Sequence, residues 1–165
     1  MLRDEELLLA LLNSAPVVEG VPTDRLEGAS ARDLARSWGG TGSAKELTRL
    51  RRARQALQTV VREDDGVAIK QLAGVLDDAV QTPRLTSDGV VWELHVAEDD
   101  RLAAEAVLAW SSVIHEFPGR LRACANDECT RFLVDHSRPG TAKWCSMAVC
   151  GNRIKARTHA RRNKD

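Results

Sequence analysis

Apolar residues recur at helical spacing through most of the first 116 residues. Leucines crowd residues 2–13, and residues 43–62 carry Leu47, Leu50, Leu57 and Val61 at intervals of three, four and seven. Such intervals place side chains on one face of an α-helix. Together with serine and aspartate at helix starts, they predict helices over residues 2–13, 30–38, 43–62, 66–80 and 99–116, with N-caps at Ser30, at Ser43 and at Asp99 or Asp100.

The period changes from helical to alternating at residues 90–96. Val90, Trp92, Leu94 and Val96 alternate with other residues, which is typical of a strand. Asp88-Gly89 comes just before and is a two-residue hairpin signal, so residues 84–87 are expected to pair with this strand. Apolar positions 69, 72, 76 and 80, with the tryptophans at 38, 92 and 110, are the expected core contributions of this region.

Four cysteines occur, all in the last quarter of the chain. They fall as Cys124-x4-Cys129, a gap of fifteen residues, and Cys145-x4-Cys150. Two short Cys pairs separated by such a loop have the spacing of a tetrahedral zinc site, so these four residues are the predicted Zn²⁺ ligands. Two disulfides or a thiol switch are the alternatives. No secretory signal is evident, which favours a cytoplasmic, reducing location and therefore metal.

The zinc site completes the predicted architecture. We expect an α+β fold, in which a helix-rich N-terminal domain with a small antiparallel β-hairpin precedes a small four-cysteine zinc finger and a C-terminal basic helix. Phe117-Pro118-Gly119 interrupts the last apolar helix. The predicted domains are therefore residues 1–118 and residues 119–165.

The net charge of zero conceals a strong asymmetry. Residues 120–165 carry 11 Lys and Arg against 4 Asp and Glu, whereas residues 1–119 carry 13 against 20. A basic segment joined to a zinc module favours a nucleic-acid partner, expected to be DNA. Arg153, Arg157 and Arg161 would share one helix face. The full predicted nucleic-acid surface comprises Arg138, Lys143, Arg153, Lys155, Arg157, Arg161 and Arg162.

Four short motifs stand out in residues 120–153: Arg120-Leu121-Arg122, Asp135-x-Ser137-Arg138, Trp144-Cys145-Ser146-Met147 and Cys150-Gly151-Asn152-Arg153. With these motifs the segment resembles the CGNR zinc-finger family. In that family the finger follows an N-terminal domain called ABATE, and Leu9-Ala10-Leu11-Leu12-Asn13-Ser14 looks like its opening helix. The resemblance implies a stress-induced transcriptional regulator whose N-terminal domain senses a small-molecule effector or dimerises. Pro139 and Ala142-Lys143 depart from the family pattern in the loop.

Other functional classes are less consistent with the sequence. Residues 39–45 hint at a phosphate loop, but Ala44 and Glu46 stand where the Walker pattern needs Gly and Ser or Thr. We therefore expect no enzyme, no cofactor other than zinc, and no membrane-spanning segment. The main alternative is a protein–protein adaptor, in which zinc is purely structural and the basic helix meets an acidic partner. A homodimer is expected because a single finger binds DNA modestly.

Overall fold

A computed structural model describes residues 3–18, 20–63 and 65–162, and its fold is the predicted α+β arrangement. The α-helices of these residues are α1 (Arg3–Leu12), α2 (Ala31–Ser37), α3 (Ala44–Glu63), α4 (Gly66–Val75), α5 (Glu98–Glu116) and α6 (Asn152–Arg162). The strands form three antiparallel pairs, β1 (Val17–Val18) with β2 (Val21–Pro22), β3 (Val80–Thr86) with β4 (Gly89–His95), and β5 (Leu121–Ala123) with β6 (Phe132–Val134).

The core lies between α1, α3 and α5, with α4 packed on α3 and α5. Leu8 and Leu11 of α1, Leu50 and Leu57 of α3 and Leu102 of α5 are fully buried. Their helical spacing produces one apolar stripe on each helix, and the stripes meet. Within the described ranges, every helix is too short or too polar to span a bilayer.

Helix α3 begins as predicted at Ser43, but its second cap contact differs from a capping box. The Ser43 hydroxyl accepts a hydrogen bond from the Glu46 N–H at 3.0 Å. The buried Glu46 carboxylate accepts from the N–H groups of Thr41 and Gly42, at 3.1 and 2.7 Å, rather than from that of Ser43. This carboxylate therefore holds the glycine-rich loop before α3, whose N–H groups would be required by a bound phosphate.

The predicted cap of α2 is correct in position, and the predicted cap of α5 is wrong. Ser30 occupies the N-cap position of α2 but makes no side-chain cap bond, and Ala97 is the N-cap of α5. Asp99 lies in the first turn of α5, where its carboxylate accepts hydrogen bonds from the hydroxyls of Thr41 and Ser43 at 2.9 and 2.6 Å. Asp99 therefore joins α5 to the start of α3 instead of capping its own helix.

Helix α4 is shorter than predicted. It ends at Val75, and Asp65 caps its start by accepting from the Val67 N–H at 2.8 Å. Leu72 is buried as expected, but Ile69 is 38% exposed, and Val80 belongs to β3 and is 57% exposed. The apolar residues therefore keep their helical spacing beyond Val75, although the helix ends there.

The predicted hairpin is present and longer than expected. Thr86 pairs with Gly89, so the two loop residues are Ser87 and Asp88 rather than Asp88 and Gly89. Gly89 has a φ of +112°, which explains glycine at this position. Trp92 is 58% exposed and not a core residue, whereas Trp38 and Trp110 pack against the core.

The short β5–β6 pair shares the core of the helices. Phe132 and Val134 are buried and belong to the same apolar cluster as the leucines of α1 and α3. Leu133 is buried too, while Trp144 is half-buried.

Candidate metal centre and basic surface

The first cysteine pair is held on a turn that follows β5. The Cys124 N–H donates to the Arg131 carbonyl at 2.8 Å, which continues the β5–β6 ladder by one bond. The Cys129 N–H donates to the Asn126 carbonyl at 2.8 Å and closes the turn. Cys124 is buried and Cys129 half-buried, so both sulfurs face away from open solvent.

The second pair lies at the start of the C-terminal helical segment. Ser146 occupies the N-cap of a single π-helical turn, Met147–Gly151, which leads directly into α6. The Ser146 carbonyl accepts from the N–H groups of Cys150 and Gly151, both at 3.0 Å. Cys150 therefore lies where the C-terminal helical segment begins.

Gly151 lies close to two side chains of the finger. A Cβ atom there would lie 2.7 Å from the Met147 Sδ and 2.9 Å from the Trp144 Cδ1. Glycine is required because these two side chains pack against its Cα.

The four cysteine sulfurs converge on one point. All four Sγ atoms lie within 4.8 Å of one another, and those of Cys129 and Cys150 lie 3.6 and 3.7 Å from that of Cys145. A tetrahedron of sulfurs about 2.3 Å from a central ion has edges of about 3.8 Å. The arrangement fits a tetrahedral thiolate-bound metal ion.

Two N–H groups point at the sulfurs from outside the cluster. The Asn126 side-chain amide donates to the Cys150 Sγ at 3.5 Å, and the Cys145 N–H donates to the Cys124 Sγ at 3.4 Å. Asn126 is only 2% exposed, so its amide is held in this position by the surrounding side chains and backbone. Donors of this kind orient ligands and offset the negative charge of a thiolate cluster.

The protonation of the thiols responds to this environment. Burial, together with hydrogen bonds from neighbouring thiols, raises the pKa of Cys145, and burial also raises the pKa of Cys129. Burial alone would raise the pKa of Cys150, but hydrogen bonds, first that from Asn126, lower it. Four thiolates at this spacing need a cation between them, so metal binding would release protons.

His136 does not belong to the cluster of the four cysteines. Its Nε2 atom contacts the two carboxylate oxygens of Glu5 at 2.8 and 2.9 Å. Its ring meets that of Phe117 edge-on, with centroids 4.8 Å apart. His136 thus links the finger loop to α1 and α5.

A buried carboxylate organises the loop between the two cysteine pairs. Asp135 is 1% exposed. Its oxygens accept from the Ser137 N–H and hydroxyl at 2.9 and 2.6 Å, and from the Ala142 N–H at 3.0 Å. Arg120 and Arg122 lie 3.7 and 3.5 Å from the same carboxylate. The hydrogen bond from the Ser137 hydroxyl is the main cause that lowers the pKa of Asp135.

The two arginines also close the loop by binding its carbonyls. Arg120 donates to the Ser137 carbonyl at 2.6 Å, and Arg122 donates to the Gly140 carbonyl at 3.0 Å. This loop presents Arg138 and Lys143, which are both exposed. Two predicted nucleic-acid residues are thereby held on a rigid support.

The remaining predicted nucleic-acid residues lie on α6, which contributes no buried residue. One of them has a partner: the Arg157 guanidinium contacts the two carboxylate oxygens of Glu128 at 2.8 and 2.7 Å. Hydrogen bonding to Arg157 lowers the pKa of Glu128. Within the described residues, no hydrogen bond or ion pair engages the side chains of Arg153, Lys155, Arg161 and Arg162.

Sequence reasoning missed the role of Asn126 and of Glu128. Asn126 stands two residues after a cysteine, a position where asparagine commonly forms a turn, and its own Oδ1 accepts from the Glu128 N–H at 3.3 Å. The asparagine at this position therefore indicates a turn in the sequence alone. The pairing of Glu128 with Arg157, 29 residues later, had no signal in the sequence.

The part of the chain that holds the four cysteines matches a known protein family. The model of the CGNR zinc finger matches residues 120–163. The match includes the four clustered cysteines, the arginine-bound loop and all of α6. No curated protein matches the chain.

Proposed function

We propose that this protein is a zinc-dependent DNA-binding protein that regulates transcription. The single observation that carries the proposal is the position of α6. This helix follows directly from the turn that holds Cys150, exposes five Lys and Arg residues, and buries none of its side chains. A helix that adds nothing to a core yet has a fixed start and a dense positive charge is suited to binding phosphates.

Zinc is the metal that best suits the four sulfurs. Tetrahedral sites made only of thiolates favour zinc or iron–sulfur chemistry, and closed four-ligand sites are structural. The backbone and amide N–H groups that point at Cys124 and Cys150 support such a closed site. Zinc would stabilise the fold of the finger and thereby fix the direction of α6.

The test is fluorescence anisotropy of the zinc-loaded protein with random duplex DNA across a salt series. The variant Arg161→Ala/Arg162→Ala removes two exposed charges from α6. The variant Arg32→Ala/Lys70→Ala removes the same charge from exposed positions on α2 and α4 and serves as control. We expect the α6 variant to bind more weakly, with a salt slope shallower by about 0.9 for each lost phosphate contact.

The control variant is expected to bind like the unmodified protein. Equal weakening in both variants would reflect net charge alone and would contradict a site on α6. If the zinc-loaded protein fails to bind DNA even at low salt, the adaptor interpretation replaces this proposal, with zinc as a purely structural ion.

We further propose that the N-terminal part, as an ABATE-like domain, senses a small ligand. A pocket of about 600 Å³ lies between α3, α4 and the start of α5. Ala53, Ala56 and Ala68 form an apolar floor, and Arg52 and Asp78 lie at its polar boundary. This size and mixture suit a small amphipathic molecule.

The sensing proposal is testable by a ligand screen that monitors the melting temperature. We expect hits whose stabilising effect is lost in Gln71→Trp, which would fill the pocket from an exposed position. Hits that stabilise this variant equally, or a domain that responds to none of the ligands, would contradict the proposal.

A further inference from the structure

A cleft of about 550 Å³ lies where the N-terminal part of the chain meets the finger. Two of its lining residues are arginines from distant parts of the sequence. Arg25 follows β2, and Arg131 comes directly before β6. None of the described residues that line this cleft is an aspartate or a glutamate. We refer to it as the arginine cleft.

Backbone contacts hold both walls of the arginine cleft in place. The Val17 N–H donates to the Thr130 hydroxyl oxygen at 3.2 Å and so joins one wall to the other. The Arg25 N–H donates to the Ser14 carbonyl at 2.8 Å. The Arg131 carbonyl accepts a backbone hydrogen bond at 2.8 Å that extends the β5–β6 ladder. A ligand therefore meets two arginines whose backbone is already ordered, which lowers the entropic cost of binding.

The two arginine side chains have no counter-charge in the described part of the chain. Both are exposed, and no hydrogen bond or ion pair between described residues engages either guanidinium. The acidic residue beside Arg25 is Asp24, which Arg54 binds at 2.7 Å. The acidic residue nearest to Arg131 in sequence is Glu128, which contacts Arg157. A cleft with charges of one sign attracts ions of the other sign.

The metal centre does not occupy these two guanidiniums. Cys145 also lines the arginine cleft, and a zinc ion with four thiolates carries a net negative charge. The N–H groups that donate to the Cys124 and Cys150 sulfurs come from the backbone and from Asn126. Among the described contacts, neither guanidinium donates to a sulfur. Both remain available to an anion from solvent.

We propose that the arginine cleft binds a phosphate group of the DNA backbone, so that the DNA interface extends beyond the finger. Guanidinium groups bind phosphate oxygens through paired N–H donors. This inference rests on the DNA binding proposed above. It adds a contact from Arg25, which belongs to the segment of residues 1–119 with 13 Lys and Arg against 20 Asp and Glu.

The position of the arginine cleft relative to α6 favours the DNA backbone over a free phosphate ion. Arg131 stands three residues after Glu128, whose carboxylate contacts Arg157 of α6 at 2.7 Å. Three residues span at most about 11 Å. Duplex DNA carries one negative charge for about every 1.7 Å of its axis. A duplex on α6 therefore presents further phosphates within reach of this cleft.

The test is fluorescence anisotropy of the zinc-loaded full chain with random duplex DNA across a salt series. The variant Arg25→Ala/Arg131→Ala is measured beside the α6 variant and the control variant defined above. We expect the cleft variant to bind more weakly, with a salt slope shallower by about 1.8, because each lost phosphate contact contributes about 0.9. Combining the cleft and α6 substitutions should make the slope shallower by about 3.6, since the two sets contact different phosphates.

Two further measurements separate phosphate binding from other roles of these arginines. Zinc affinity, measured by competition with a chromophoric chelator, should be the same in the cleft variant and in the unmodified protein. Arg25→Lys/Arg131→Lys should recover part of the DNA affinity, because lysine keeps the charge but lacks the paired donors. Circular dichroism and melting temperature establish that each variant is folded.

Several outcomes would overturn the inference. If the cleft variant keeps the unmodified salt slope while the α6 variant loses affinity, the cleft does not contact DNA and the proposed function stands. If the unmodified protein fails to bind DNA, the proposed function itself is wrong. Equal weakening in the cleft and control variants would reflect net charge alone. Loss of zinc affinity in the cleft variant would assign the arginines to the metal centre.

A free anion is distinguished by inorganic phosphate as the probe. Inorganic phosphate that raises the melting temperature of the unmodified protein but not of the cleft variant, with equal DNA binding by both, would assign the cleft to a free phosphate ion. We expect instead that the cleft variant loses DNA affinity.

Discussion

The side chain of Asn13 binds both backbone polar groups of Phe132. Its Nδ2 donates to the Phe132 carbonyl at 3.2 Å, and its Oδ1 accepts from the Phe132 N–H at 2.7 Å. The Arg62 guanidinium lies 4.5 Å from the centre of the Phe132 ring. Residues at the ends of α1 and α3 thus contact the same residue of β6. These contacts attach the finger to the helical core.

Replacing Asn13 by Ala should therefore destabilise the whole chain. The substitution leaves the partly buried N–H and C=O of Phe132 without their partner, at a cost of about 1–3 kcal/mol. Urea unfolding of the zinc-loaded protein measures this loss. Gln71→Ala removes an exposed amide and should change stability by less than about 0.5 kcal/mol. Similar effects of the two substitutions would show that the Asn13 contacts contribute little.

The hydrogen bond from the Asn126 amide to the Cys150 sulfur should strengthen metal binding without being essential for it. Asn126→Ala removes the donor to the Cys150 sulfur while keeping all four ligands, and such changes typically cost about 10–100-fold in affinity. Competition with a chromophoric zinc chelator measures it. Asp127→Ala, at the exposed neighbouring position, should have no such effect. Unchanged affinity in Asn126→Ala would exclude a tuning role for the amide.

Glu128 should restrain DNA binding through Arg157. Glu128→Gln frees a cation at the middle of the Arg153–Arg157–Arg161 face, so binding should strengthen and the salt slope should steepen by about 0.9. Asp127→Asn removes the same charge nearby without freeing Arg157. If the two variants bind DNA equally, only the net charge matters and Arg157 does not contact phosphate.

Replacing Gly140 by Ala should destabilise the protein for two reasons, which a second glycine can separate. Its φ is +68°, and a Cβ atom there would lie 2.7 Å from the Arg120 guanidinium carbon. Gly28 has a φ of +77° but open space around it. We expect Gly28→Ala to cost about 1–2 kcal/mol from backbone strain alone, and Gly140→Ala to cost more. Equal losses in thermal unfolding would mean that Arg120 moves aside freely.

Acid should weaken the contact between Asp24 and Arg54. Burial is the largest single influence on the pKa of Asp24 and would raise it. The hydrogen bonds from Arg54 and from the Leu26 N–H, together with the charges of Arg54 and Arg51, outweigh burial and lower the pKa below its usual 3.8. The carboxylate is therefore stabilising above its unfolded pKa, and this contribution is lost as the pH falls through the folded pKa. Asp24→Asn should be less stable on the order of 3 kcal/mol at neutral pH.

The difference between this variant and the unmodified protein should shrink in acid. Comparing the two at each pH cancels the loss of metal-bound thiolates, which affects both. Asp33→Asn, on the exposed surface of α2, is the control. A difference that stays constant down to strongly acidic pH would show that the Asp24 charge does not contribute.

Local periodicity was sufficient to predict most helices and the hairpin. The run of leucines in α1 and the Ser43 cap of α3 are local signals, and the structure confirms both elements. Ile69 and Val80 show where periodicity fails. Their spacing fits a longer α4, but the chain leaves the helix at Val75, and no later signal marks that end.

The exposure of Trp92 could not be derived from the sequence. Alternation predicts that one face of a strand is apolar, but not whether anything covers that face. In this chain the helical core is complete without the hairpin, because the leucines of α1, α3 and α5 fill it. Leu85, Val90 and Trp92 of the hairpin therefore stay exposed in the described part of the chain.

The sequence by itself determined the cysteine set, the charge asymmetry and the class of fold. These depend on residue type and short spacing, which chain geometry translates directly into structure. Only the tertiary structure decided what surrounds them: Asn126 on the Cys150 sulfur, Asp135 between Arg120 and Arg122, and Glu128 on Arg157. These contacts join residues 13 to 29 positions apart and depend on how the turns of the finger pack. No local pattern encodes that packing.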